Sequence, residues 1–345
     1  MQLAKKIRVL VVDDSMVFRE KLAQGISADP AIEVVGTAAD PYAARDKIIE
    51  LEPDVLTLDV EMPRMNGIEF LRRLMPQYPL PVVMISSLDN AVFEALQAGA
   101  VDFVCKPDPN SDRRSIDAFI NELIIKIKIA STAKVGHKKS ELPHPQSLAL
   151  SGTVSTAKIV AIGASTGGTE AINYIIKNLP SDVPGILIAQ HMPSVFTRMF
   201  AERLNESCLL EVREAQDGER IYPGLVLVAP GDYHMSIVRS GTYYTVKCRQ
   251  TEKVNGHRPS VDVLFNSVAE QCKAAAVGVI LTGMGYDGAK GLLAMRRNGA
   301  RTIGQDERTS VVYGMPKVAA NIGAVERQVS LDKIPSLLYS ILSER

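Results

Sequence analysis

The sequence predicts an α/β protein made of two doubly wound parallel-sheet domains joined by a linker, the second domain carrying an antiparallel hairpin. Three observations carry this expectation. At 345 residues the chain exceeds one average domain of roughly 150 residues and suggests two. In both halves short β-branched runs alternate with amphipathic stretches, the pattern of βαβ units. Between the halves the alternation stops over a segment rich in Ser, Thr, Pro, Gly and Lys, which is linker chemistry.

In the first half five apolar runs read as strands: IRVLVV from Ile7, EVVGTA from Glu33, DVLTLD from Asp54, PVVMISS from Pro81 and DFVCK from Asp102. Between them, Met16 to Ile26 and Asn90 to Ala98 show the clearest helical stripes. The expected divisions are 1–129, a linker over 130–157, and 158–345. The second half opens with KIVAIGA from Lys158 and continues with GILIAQ, GLVLVAP and AAVGVILTG as strands. YHMSIVR and YYTVKCR flank Ser240-Gly241, which predicts a hairpin attached to the mainly parallel sheet.

Composition excludes several classes of function. Lys plus Arg and Asp plus Glu both total 39, so no global field draws the protein to nucleic acid. Hydrophobic residues at 46% and charged residues at 23% are ordinary for a globular protein in water. The apolar run from Ile7 ends at Asp13 and Asp14, too soon for a signal peptide. No stretch approaches the roughly 20 apolar residues that span a bilayer. A cytoplasmic protein without membrane insertion is expected. Cys105, Cys208, Cys248 and Cys272 form no CxxC pair and read as reduced thiols.

In an open parallel sheet, ligands bind beyond the carboxyl ends of the strands. The first run ends in Asp13-Asp14, the third in Asp59, the fourth in Ser86-Ser87 and the fifth in Lys106-Pro107. Carboxylates gathered this closely repel one another, and Mg²⁺ relieves that repulsion while leaving sites for a phosphoryl group. Asp59, on the middle strand, is the natural nucleophile; Lys106 offers a charge and Ser86 a hydroxyl to the phosphoryl oxygens. Taken singly, each Asp reads as a helix cap; their convergence favours chemistry.

VVDDS at Val11 to Ser15, LDVEMPRMNG at Leu58 to Gly67, MISS at Met84 to Ser87 and CKP at Cys105 to Pro107 resemble the receiver domain of two-component response regulators. The likeness covers about Ile7 to Ile129 and implies a flavodoxin-like response regulatory domain over 1–129. It further implies phosphorylation on Asp59 by a histidine kinase. Mg²⁺ would be held by Asp14, Asp59 and the Glu61 carbonyl with Asp13 assisting, and Ser86, Phe103 and Lys106 would respond to the phosphoryl group.

In the second half, GASTGG from Gly163 to Gly168 joins a strand to a helix, the setting of a nucleophile elbow that exposes Ser165 at the sheet edge. A Walker A loop would need Lys after its last glycine, where Thr169 stands. The G-x-G-x-x-G fingerprint fails because Ser165 takes its second glycine position. A serine hydroxyl needs a base and an orienting acid. Of the five histidines, His137 and His144 fall in the linker, His234 in the hairpin and His257 in NGHRPS; His191 directly follows the strand GILIAQ. Asp287, after AAVGVILTG, reaches the same edge, though either residue alone also reads as structural.

The motifs GASTGG, AQHMPSVFTRMF, LVAPGDYHM, GHRPSVDVLF and LTGMGYDGAKGL resemble the catalytic domain of chemotaxis protein-glutamate methylesterases, the CheB family, over roughly Lys158 to Leu342. The resemblance implies a Rossmann-like methylesterase domain over 158–345 in which Ser165 attacks the ester, His191 moves the proton and Asp287 orients the imidazole. It implies methylated chemoreceptors as substrate, release of methanol, deamidation of receptor glutamines, and no cofactor in this half. Thr166 and Met284 border the catalytic loops and are the oxyanion candidates. His257 and Arg258 either line the substrate groove or stabilise a turn. The linker suggests that the receiver, unphosphorylated, limits access to Ser165. A peptidase or lipase, a non-catalytic binding regulator and a DNA-binding regulator are the alternatives.

Overall fold

The structure is a computed structural model that describes residues 5–87, 91–108, 111–136 and 158–344. The chain divides into two compact units, Met1–Ser140 and Glu141–Arg345. Most of the expected linker, including His137 and His144, lies outside the described residues.

In the first unit β1 (Ile7–Val12), α1 (Met16–Ser27), β2 (Ile32–Ala38), α2 (Pro41–Leu51), β3 (Val55–Asp59), α3 (Gly67–Leu74), β4 (Val82–Ser86), α4 (Ala91–Ala98), β5 (Asp102–Cys105) and α5 (Arg113–Ala130) alternate. All five strands pair in parallel in the order β2-β1-β3-β4-β5. Every expected run is a strand; the inner strands β1, β3 and β4 are apolar because helices cover both faces, while the edge strand β2 is only partly buried. Val9 to Val12, Leu56, Leu58 and Val82 to Ile85 are fully buried. Helix α4 begins at Ala91; the expected start at Asn90 lies outside the described residues. The helix caps are Ser15, Asp40, Asn66 and Asp112, each accepting from a backbone N–H of the first turn. Asp13, Asp14 and Asp59 cap none of these helices. They sit where strand order reverses at β1 and β3, the crevice position of an open sheet.

The second unit runs β6 (Ile159–Ala164), α6 (Gly168–Lys177), β7 (Ile186–Gln190), α7 (Ser194–Ser207), β8 (Glu211–Glu214), β9 (Arg220–Ile221), β10 (Leu225–Val228), β11 (His234–Ser240), β12 (Tyr243–Arg249) and α8 (Val261–Cys272). It continues with β13 (Ala276–Ile280), α9 (Ala289–Arg297), β14 (Arg301–Gln305), α10 (Met315–Asn321), β15 (Arg327–Val329) and α11 (Ile334–Ser343). Seven strands form a parallel sheet in the order β15-β14-β13-β6-β7-β10-β8.

The hairpin β11-β12 forms as expected, but it is not attached to that sheet. It pairs with β9 in a separate three-stranded sheet. The reason is packing: Met235, Ile237 and Val246 bury against Leu264, Phe265 and Val268 of α8, and the Ile237 N–H donates to Ser267 Oγ on that helix (3.1 Å). Among the described residues, no helix is long and apolar enough to cross a membrane.

Candidate active site

Strand β6 lies between β7 and β13, with Ala164 opposite Gln190 and Gly163 opposite Ile280. The chain leaves β6 through α6 toward β7, while β13 arrives on the other flank, so strand order reverses here and opens a crevice. The Ser165 N–H donates to Thr282 O (3.0 Å) and the His191 N–H to Ala164 O (3.1 Å), which fixes both residues just past the strand ends. Gly167 turns the chain at φ +77° into α6, and the Gly168 N–H closes the turn onto Ser165 O (2.7 Å). Ser165 is left half-buried.

His191 Nε2 and Asp287 Oδ2 are 2.8 Å apart, with side chains 7% and 2% exposed. Asp287 also accepts from Asn255 Nδ2 (2.7 Å), Ser260 Oγ (2.8 Å) and the N–H groups of Val261 (2.7 Å) and Asp262 (3.2 Å). Burial alone would push this carboxyl up, but the donors from His191, Asn255 and Ser260 hold it well below the usual carboxylate range. Asp287 thus supplies the capping acceptor for α8, a helix remote in sequence, and the positive end of that helix favours its charge.

With Nε2 facing the acid, the neutral ring carries its proton there and presents the Nδ1 lone pair. Nδ1 is buried and has no partner among the described residues, so Ser165 and His191 are not hydrogen-bonded. Of the three expected catalytic residues, the imidazole and carboxylate are joined, while the hydroxyl stands one residue past the Ala164–Gln190 register pair and unjoined. Such contacts often tighten only with substrate bound.

Of the two oxyanion candidates, Thr166 adjoins Ser165 in the chain and Met284 lies one residue beyond Gly283, which approaches Ser165. Thr166 is buried and its carbonyl accepts from Thr282 Oγ1 (3.0 Å); Met284 is 45% exposed and follows Gly283. A Cβ on Gly283 would stand 2.7 Å from Ser165 Cβ and collide with Met315 Sδ. Gly283→Ala is therefore expected to displace Ser165 and lower kcat by about 10²-fold, with KM much less affected, measured by steady-state ester hydrolysis.

In the first unit, oxygens of Asp13, Asp14 and Asp59 lie within 4.8 Å of one another. Lys106 Nζ bridges Asp13 Oδ2 (3.0 Å) and Asp59 Oδ2 (2.8 Å). Burial pushes the Asp59 carboxyl up to about 6, Lys106 opposing and Asp13 adding to the effect. Three hard oxygen donors around one point fit a divalent cation such as Mg²⁺. The Glu61 N–H donates to Asp59 Oδ1 (3.4 Å), and its carboxylate accepts from Ser87 Oγ (2.8 Å). Ser86 Oγ is buried and donates to Ser87 O (2.9 Å), and Phe103 is buried on β5 with Lys126 Nζ 4.9 Å from its ring centre.

Comparison with known proteins finds two family models that match the chain, one in each unit. The family model described as CheB methylesterase matches residues 160–338, and the response regulator receiver domain model matches 9–116. The chain belongs to the CheB methylesterase family. A protein-glutamate methylesterase/protein-glutamine glutaminase 2 of Syntrophomonas wolfei is 60% identical, covering 99% of both chains. The protein-glutamate methylesterase/protein-glutamine glutaminase of Escherichia coli O157:H7 is 49% identical over 98% of this chain and 97% of its own. The crystal structure of the Thermotoga maritima CheB methylesterase catalytic domain covers 53% of this chain and 98% of its own, at 40% identity and a TM-score of 0.53.

Within this CheB-family chain, several residues that support the site lie inside the quoted motifs, yet nothing in the sequence assigns them a role. Gln190 Nε2 donates to Ser165 O and His191 O (both 3.0 Å), tying the two loops together. Asn255 and Ser260 hold Asp287, and nothing local marks either of them. His234 proves structural: it meets the Ser260 N–H through Nδ1 (3.1 Å) and Glu252 O through Nε2 (2.9 Å). Arg258 pairs with Asp232 (Nε to Oδ1, 2.9 Å) and donates to Thr251 O, which is turn-supporting chemistry.

Proposed function

We propose that this protein is a phosphorylation-regulated serine hydrolase of the cytoplasm that demethylates glutamate methyl esters on chemoreceptors and deamidates receptor glutamines in chemotactic adaptation. The observation that carries this reading is the His191–Asp287 pair beside Ser165 at the strand-order reversal. Ser165 Oγ attacks the γ-carbonyl of the methylated glutamate while His191 Nδ1 takes its proton. The N–H groups of Thr166 and Met284 receive the oxyanion. His191 then returns the proton to the departing methoxide, and methanol leaves. Water, deprotonated by the same nitrogen, attacks the acyl-serine; the proton passes to Ser165 Oγ as it departs, and the glutamate side chain is released. Glutamine enters the same sequence and loses ammonia. Asp287 stays ionised throughout and stabilises the imidazolium. No step needs a cofactor in this half.

The working division is a receiver over 1–129, a linker over 130–157 and a catalytic domain over 158–345. Asp13, Asp14, Asp59 and the Glu61 carbonyl would hold Mg²⁺, which neutralises charge on the incoming phosphoryl group. Asp59 is the acceptor from a histidine kinase, and Lys106 and Ser86 meet the phosphoryl oxygens, with Phe103 following Ser86. Methanol release from methylated receptor membranes, with and without a small-molecule phosphodonor and Mg²⁺, tests the whole reading. Wild-type activity is expected to rise by about tenfold or more on phosphorylation. Asp59→Asn keeps the resting rate and loses the rise; an Asp59→Asn variant that still responds would refute phosphorylation at this residue.

A further inference from the structure

The imidazole of His257 lies flat against that of His191, ring centres 3.8 Å apart and planes 8° from parallel. His191 is otherwise anchored at one edge, Nε2 on Asp287, because Nδ1 has no partner among the described residues. One hydrogen bond leaves a ring free to pivot about the N···O axis. A flat neighbour removes that freedom and fixes the plane in which Nδ1 lies.

The same turn reaches the acid. Val254 and His257 exchange backbone hydrogen bonds (3.2 and 3.0 Å) around Asn255 and Gly256, at φ +53° and +82°, the tight geometry that Asn-Gly favours. Asn255 Nδ2 donates to Asp287 Oδ1 (2.7 Å) and Asp262 Oδ2 (2.8 Å), so the turn is pinned between two buried carboxylates. We propose that the Val254–His257 turn is a positioning clamp for the proton relay, with Asn255 holding the acid and a neutral His257 holding the plane of the base.

Neutrality matters because His191 must become an imidazolium during the reaction, and a second cation at stacking distance would oppose it. The groups facing His257 are His191, Asp287 and Lys253, with Asp262 reached through Asn255. Burial, His191 and Lys253 outweigh Asp287 and push His257 down to about 4, so it is uncharged at neutral pH.

The inference rests on the triad reading, and the experiment separates the two. Full-length His257→Phe, His257→Ala, His257→Lys and His191→Ala variants are assayed for kcat, KM and the pH dependence of kcat/KM, with thermal unfolding as the check on folding. His257→Phe keeps the flat neutral contact and is expected within about threefold of wild type. His257→Ala loses about tenfold or more in kcat with KM little changed. His257→Lys shifts the acid limb of kcat/KM to lower pH by about one unit, because a neighbouring cation disfavours protonated His191. A wild-type kcat in His257→Ala, equal losses in the Ala and Phe variants, or a change confined to KM overturns the clamp. An active His191→Ala overturns the triad instead.

Discussion

Ser165→Ala is expected to abolish methanol release from methylated receptors, with kcat falling by about 10⁶-fold, and adding His191→Ala should lower it no further. The non-additivity would follow from the proposed relay: without a hydroxyl to deprotonate, the base has nothing to do. Stability should barely change, since Ser165 is half-buried and alanine keeps the Cβ that faces Gly283. Methanol assays on the single and double variants decide the matter. An active Ser165→Ala protein would leave the second unit as a binding module or a hydrolase with another nucleophile.

Asp287→Asn should cost both activity and stability, and so differ in kind from Ser165→Ala. An asparagine cannot orient His191 with its proton on Nε2 and stabilise the imidazolium, a loss of about 10⁴-fold in kcat by analogy with other triads. The carboxylate also accepts from Asn255, Ser260, Val261 and Asp262. An amide offers one acceptor oxygen, so some of these buried donors lose their partner at about 1–3 kcal/mol each. The second unit should unfold several degrees lower, as each kcal/mol is worth about 2–4 °C in a domain of this size. Paired kcat and thermal-unfolding measurements test this. Unchanged stability would mean that the α8 cap does not depend on Asp287.

Much of the architecture was legible because parallel strands buried on both faces are continuous apolar runs. β1, β3 and β4 of the first unit and β6, β7, β10 and β13 of the second announce themselves this way, whereas the partly buried edge strands β2 and β5 show themselves by their β-branched and aromatic residues. β8 and β15 do not, being short edge strands of mostly polar sequence. β14 hides because its buried Thr302 and Gln305 are satisfied by distant partners, Ala324 O and the Thr282 N–H. The placing of Ser165 and His191 just past strand ends and the meeting of His191 with Asp287 were readable from the sequence. Asn255, Ser260 and Gln190 were not, since their roles depend on which segments meet in space. Asp287 shows the limit well: a local reading makes it the cap of the helix that follows, yet it caps α8, which precedes it.

The pairing of β6 with β13 joins segments more than a hundred residues apart, Ile159–Gly163 against Ala276–Ile280. Closing so large a loop before any contact rewards it slows the search for the native topology. After dilution from denaturant, helical content should return early while esterase activity lags until this central pair zips, leaving a window in which apolar strand edges are open to aggregation.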